Sequence, residues 1–176
     1  AATAGPSSRS SHNSSATPGT TVARSPNSSA TSNSLAIYQK ISMGNGNHAN
    51  NPWLQELPDP VTKATWDNYA MMSMAMAKEV VGIDLINGSE RHINSYEYYP
   101  EKPVISITFP GLKEPVKLPV LIIPGMDANT IAVAVGYGRK GNLGKAAEGV
   151  GQNGYVFASY NGTTTDWYKT EVTVSD

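Results

Sequence analysis

Cysteine is absent from the 176 residues. That excludes disulfides, thiolate nucleophiles, cysteine-ligated zinc and iron–sulfur clusters held by this chain itself. Excess charge of either sign is lacking too. Thirteen Lys and Arg face 14 Asp and Glu, a net of −1, so composition makes no case for nucleic acid or an anionic membrane surface. No apolar run approaches the ~18 residues of a membrane span, and no signal-peptide pattern is present. The chain starts at Ala1 rather than Met, which reads as a processed terminus or a piece of something longer. The length suits one ordinary domain with a sizeable core.

What is present falls into two unlike segments. Residues 1–34 contain 16 Ser or Thr, three Pro, no acidic and no aromatic residue, and Val22 is the only aliphatic side chain larger than Ala. Such a stretch cannot bury enough apolar area to offset backbone ordering at ~1–2 kcal/mol per residue. It is expected to be a disordered arm or linker, or else to lie along a partner surface. Residues 35–176 carry 11 basic and 14 acidic groups, an ordinary balance for a folded domain.

In that second segment, Leu35–Ile41 alternates apolar and polar residues as a strand does, and residues 44–52 are almost all turn formers. Pro58 and Pro60 prevent a continuous helix after Trp53. Trp66 and Tyr69, spaced i, i+3, predict a turn or two of helix over 65–72. Ser73 is placed to cap a short helix over Met74–Val80, with Gly82 just past its end. Met71, Met72, Met74 and Met76 are expected to fill core gaps. Beyond Gly82 the pattern is β: residues 104–109, 116–123 (with Pro119 marking an edge or bulge), 130–135, 155–159 and 171–174 read as strands. Several short strands with one or two small helices predict a mainly β chain forming a closed or partly closed barrel.

The most unusual local sequence is Gly136-Tyr137-Gly138-Arg139-Lys140, followed by a second glycine run at 149–154. Glycines let backbone amides approach a ligand, and Arg139 and Lys140 add charge, which would suit a phosphate or pyrophosphate. The spacing departs from both the dinucleotide fingerprint and the Walker loop, and a plain glycine-rich barrel loop explains it equally. His12, His48 and His92 are scattered, with no second ligand at metal spacing. Glu56, Asp59 and Asp67 cluster around two tryptophans, where capping accounts for them as well as acid–base work does. No self-contained active site is readable, and no catalytic residue is assigned.

The run from Ala49 to Tyr69, ANNPWLQELPDPVTKATWDNY, is long and compositionally odd. It resembles the molybdopterin-oxidoreductase-like part of the iron–sulfur subunit of bacterial alternative complex III, a quinol-oxidising complex. Residues 118–125, 130–139 and 147–155 follow in the same order, so the resemblance spans roughly 35–160 and leaves the Ser-rich arm outside.

The resemblance implies a double-psi β-barrel of the molybdopterin dinucleotide-binding type over residues 35–176. The activity implied is that of a respiratory electron-transfer complex on the periplasmic face of the inner membrane, in which this barrel is structural rather than catalytic. Iron–sulfur clusters would belong to the cysteine-rich half of the parent subunit. The expected neighbours are that half, together with cytochrome c-containing and integral membrane subunits. The positions matching a pterin site are Asn68, Tyr69, Gly136, Tyr137, Gly138, Arg139 and, more weakly, Asn153, read as a relic site. The competing implication is a pterin-dinucleotide-gripping domain of a working molybdenum or tungsten oxidoreductase, with molybdopterin guanine dinucleotide bound.

Overall fold

The computed structural model describes residues 33–87, 102–141 and 144–176. The arm, but for its last two residues, lies outside these limits, as do His12 and His92. In chain order the elements are β1 (Asn33–Tyr38), α1 (Pro52–Glu56), β2 (Ala70–Met72), α2 (Met74–Val80), β3 (Val104–Thr108), β4 (Val116–Ile122) and β5 (Thr130–Ala134). A 3-10 turn (Gly154–Phe157), β6 (Ser159–Tyr160), β7 (Thr165–Asp166) and β8 (Tyr168–Ser175) complete the chain.

Six strands close into a barrel in the order β1-β5-β2-β4-β3-β8, and β6 and β7 form a separate small hairpin. The β1–β5 and β2–β4 pairs are parallel and all other barrel pairs antiparallel. This order has an internal two-fold character. Exchanging β1 with β4, β2 with β5 and β3 with β8 turns every neighbour pair into another neighbour pair of the same sense.

Alternation fills the interior. Leu35 and Ile37 of β1, Ile105 and Ile107 of β3, Leu118, Val120 and Ile122 of β4, and Ile131 and Val133 of β5 are all buried in one cluster. Each fully buried aliphatic side chain contributes about 1.5–3 kcal/mol. Closure also removes the unpaired edges that an open sheet would expose. Pro119 is tolerated because β2 joins β4 only from Val120 onward, leaving no partner for a Pro119 amide on that side.

Met72 and Met76 enter the core and Met74 packs against it. Ser73 caps α2 by accepting from the Met76 amide at 3.1 Å, and the amides of Val81 and Ile83 both return to the Ala77 carbonyl as the chain turns at Gly82. Asn51 caps α1, Pro52 occupies its first turn, and the helix stops at the residue preceding Pro58.

Three expectations need correcting. Residues 65–69 form no helix: Trp66 has a left-handed backbone (φ 65°), its amide donates to the Gln55 carbonyl at 2.8 Å, and the chain enters β2 at Ala70. Residues 154–157 form a 3-10 turn capped by Asn153 rather than a strand. The first strand ends at Tyr38, after which Lys40 turns inward and Ile41 is 79% exposed.

Candidate functional site

β5 leaves the barrel at Ala134 and runs directly into the glycine loop. Its end packs with Met43, Ala49, Tyr137 and Ala147 in a second, smaller apolar cluster. Three segments meet there: the turns of 40–51, the glycine loop 136–140, and the run 144–154. The Gly138 amide donates to the Val150 carbonyl at 2.8 Å, and the Gly149 amide to the Arg139 carbonyl at 3.2 Å. Gly138 must be glycine. Its φ is 70°, and a Cβ there would overlap the backbone nitrogen of Asn153.

Beside the glycine loop lies a cavity of about 360 Å³, lined by Gly136, Tyr137, Gly138, Arg139, Lys140, Asn153 and Tyr155. Five of the seven residues singled out from sequence therefore share one wall system. Tyr155 is an addition that the sequence did not single out. Its place directly after the second glycine run was the available signal.

Asn68 and Tyr69 sit behind that wall. Asn68 is fully buried, and its Nδ2 donates to the carbonyls of Ala134 at 3.0 Å and Gln152 at 2.8 Å. Its Oδ1 accepts from the Gln152 amide at 2.8 Å. Both of its donors are thus committed to the chain's own backbone. Tyr69 is 5% exposed, and its hydroxyl is hydrogen-bonded to that of Thr62. As they stand, these two side chains do not fit the role of pterin ligands. A cavity of this volume falls at the small end of the ~300–1,000 Å³ range of ligand sites.

A buried lysine underlies the loop. Lys40 is 3% exposed, donates to the Asp67 carbonyl at 2.9 Å, and stands over the rings of Tyr69 and Tyr137 at 4.1 and 5.1 Å. Burial lowers it to about 8, against the pull of Asp59 and Asp67. Burial also pushes Tyr137 up to about 12, helped by Tyr69, and raises Tyr38 and Tyr69. At Asp59, burial would raise the carboxyl. The amides of Thr62 and Val61, the Thr62 hydroxyl and Lys40 outweigh it and hold the group low. For Asp67 desolvation prevails over the Asn68 amide and Lys40, and the carboxyl is raised.

Of the acidic group around the tryptophans, Asp59 caps the turn at Val61 and Thr62, Asp67 accepts from the Asn68 amide, and Glu56 is exposed. His48 is exposed. Among the described residues no group of three or more His, Asp or Glu could hold a metal ion, and no helix is long and apolar enough to cross a membrane. A comparison of the chain with protein-family models and with curated proteins finds no match.

Proposed function

We propose that this chain is a non-catalytic barrel domain in the iron–sulfur subunit of a membrane-associated quinol:electron-acceptor oxidoreductase of the alternative complex III type, on the periplasmic face of the bacterial inner membrane. The Ala49–Tyr69 block and its companions in sequence are the first support. The observation that carries the proposal further is the strand order, whose exchange of β1 with β4, β2 with β5 and β3 with β8 is the pattern expected of two interlocked psi motifs. On this reading the barrel is of the double-psi, molybdopterin dinucleotide-binding type. Electrons pass through clusters in the cysteine-rich half of the same subunit. Cytochrome c-containing and integral membrane subunits are the further partners.

The saturated hydrogen bonding of Asn68 supports a relic pterin site rather than a working one. A second reading, a pterin-dinucleotide-gripping domain of an active molybdenum or tungsten enzyme, is favoured by one observation: the cavity lined by both Arg139 and Lys140. Metal and nucleotide analysis of the native assembly separates the two. Iron without molybdenum or tungsten is the expected result. Stoichiometric molybdenum with guanine dinucleotide would overturn the structural role.

A further inference from the structure

Three Asn-Gly pairs lie wholly within the described residues, at 45–46, 153–154 and 161–162. Such a pair can modify itself. The glycine nitrogen loses its proton and attacks the Asn Cγ, ammonia leaves, and a cyclic imide remains. Glycine suits the step because it carries no side chain to obstruct it and turns freely about φ. Charge develops on two oxygens along the way. One is the Asn carbonyl, which shares its peptide group with the attacking nitrogen; the other is Oδ1, on the carbon attacked. The fold treats the three pairs differently at those atoms.

At 161–162 the side chain is immobilised. Asn161 Oδ1 accepts from the amides of Thr163 and Thr164 at 3.0 and 2.9 Å, and Nδ2 donates to Thr164 Oγ1 at 3.3 Å and Asp166 Oδ1 at 3.1 Å. At 153–154 the peptide is enclosed. Asn153 Oδ1 accepts from the Tyr155 amide, and Gly154 is packed so tightly that a Cβ would stand 2.9 Å from the Ala134 carbonyl oxygen. Neither arrangement leaves the carboxamide free to fold back over the next nitrogen.

At 45–46 the side chain is exposed, and among the described residues its only bond is from the Asn47 amide to Oδ1 at 3.0 Å. The peptide, by contrast, is held. Gly46 is buried, and the Asn45 carbonyl accepts from the Tyr155 hydroxyl at 3.0 Å and from Arg139 Nη2 at 3.5 Å. Both oxygens that gain charge therefore already face donors, one of them cationic. A single bond opposes the reaction: the Gly46 amide donates to the Met43 carbonyl at 2.8 Å and must let go. Releasing a turn hydrogen bond lowers the reactive population by a factor of about ten at most. One well-placed donor on a developing oxyanion accelerates an enzymatic reaction about 10²–10³-fold, so even a fraction of that effect outweighs the release.

We infer that Asn45 is a self-modification site created by the fold, where the Asn45–Gly46 pair closes to a succinimide that water opens chiefly to isoaspartate. The Gly46 amide proton goes to solvent and a bond forms between Gly46 N and Asn45 Cγ. The Cγ–Nδ2 bond breaks, and the nitrogen leaves as ammonia with a proton from water. Water then adds to one of the two ring carbonyls. Arg139 and Tyr155 polarise the original main-chain carbonyl. Attack there breaks the old peptide bond, routes the chain through Cγ and leaves a free α-carboxylate beside Arg139. The turn between Gly44 and Gly46 gains one negative charge and one backbone atom, with water as the sole co-reactant.

The folded 176-residue chain, incubated in mildly alkaline buffer and mapped by peptide mass spectrometry, tests it. Asn45 converts about tenfold faster than Asn153 and Asn161, mostly to isoaspartate. Tyr155→Phe, which removes one hydroxyl, slows Asn45 about threefold and Arg139→Met about tenfold, with Asn161 unchanged in both. In urea, which removes the donors supplied by the fold, the three sites converge. Equal rates in the folded chain, an Asn45 preference that persists in urea, or a product that is mainly aspartate overturns the inference. So does an unchanged or faster Asn45 in either folded variant. Should Arg139→Met fail to fold, Tyr155→Phe and the comparison with urea decide.

Discussion

The side chain of Asn68 and the backbone of Gln152 are bonded in both directions: Oδ1 accepts from the Gln152 amide and Nδ2 donates to the Gln152 carbonyl, each at 2.8 Å. The amide side chain thereby acts as a one-residue strand, stitching the approach to β2 onto the second glycine run. Its other donor reaches Ala134 at the end of β5. Asn68→Ala would remove the partner of one amide and two carbonyls, all bonded to a fully buried side chain. At about 1–3 kcal/mol for each unsatisfied group, partly relieved by entering water, a loss of about 3 kcal/mol is expected in urea denaturation. Asn68→Asp should cost at least as much, since a carboxylate would face two carbonyls with nothing to donate. A loss below about 1 kcal/mol would show that the stitch is dispensable.

The buried Lys40 gives the domain an unusual pH profile. Its folded value, about 8, lies below its ordinary 10.5, so between those limits the unfolded chain binds more protons than the folded one. Stability therefore rises with pH across that window, by about 2–3 kcal/mol if Lys40 acts alone. The tyrosines act in the opposite direction. Tyr38 and Tyr137 are raised from 10.0, so the unfolded chain loses their protons first, and stability falls once the pH passes about 10. Denaturant titrations from pH 7 to 11 should show a maximum near pH 10. In Lys40→Met the rising limb should vanish and the falling limb remain.

Strand periodicity made much of the barrel legible. β3, β4 and β5 alternate cleanly because one face of each strand meets the core and the other does not. The caps of α2 were legible for a different reason: Ser73 and Gly82 act within one turn of chain, so their chemistry is local. Residues 65–69 failed because their conformation is set from far away. Asn68 is fixed by groups 66 and 84 positions distant, and Lys40 reaches Asp67 across 27. The i, i+3 spacing of Trp66 and Tyr69 records none of that. The glycine loop announced a place where backbones approach closely, and five of the seven named residues line its cavity. That Asn68 would be consumed by backbone, and that the Asn45 carbonyl would meet Arg139 and Tyr155, depend on contacts no local pattern encodes.

At Gly138 the glycine requirement is steric as well as conformational. A Cβ would overlap Asn153 N, which is backbone and cannot step aside as a flexible side chain would. Gly138→Ala should therefore cost more than the ~1 kcal/mol of a left-handed alanine alone, about 2–3 kcal/mol in total, lowering the melting temperature by about 5–10 °C for a domain of this size. The cost should be accompanied by weaker hydrogen-exchange protection at Gly138 and Tyr155, whose amides are held by Val150 and by the Asn153 cap.

The start of the barrel offers the remaining test. Composition puts the boundary between residues 34 and 35, but β1 begins at Asn33, which pairs with Val172 of β8, and the Ser34 amide donates to the Asn129 carbonyl at 2.8 Å. A chain beginning at residue 33 keeps these bonds and should melt with the full chain, because the segment ahead of it has almost no apolar surface to bury. A chain beginning at 35 loses both and should be weaker by about 1–2 kcal/mol. A chain beginning at 37 also loses Leu35, which is completely buried, and with it about 2–5 kcal/mol of core. Together with the lost ladder between β1 and β8 and most of that between β1 and β5, that is a large share of the ~5–15 kcal/mol a domain possesses, and cooperative melting should be lost. If instead the cut at 33 were as damaging as the cut at 35, the segment ahead of β1 would be a working part of the barrel, and the expectation of a separate arm would be wrong.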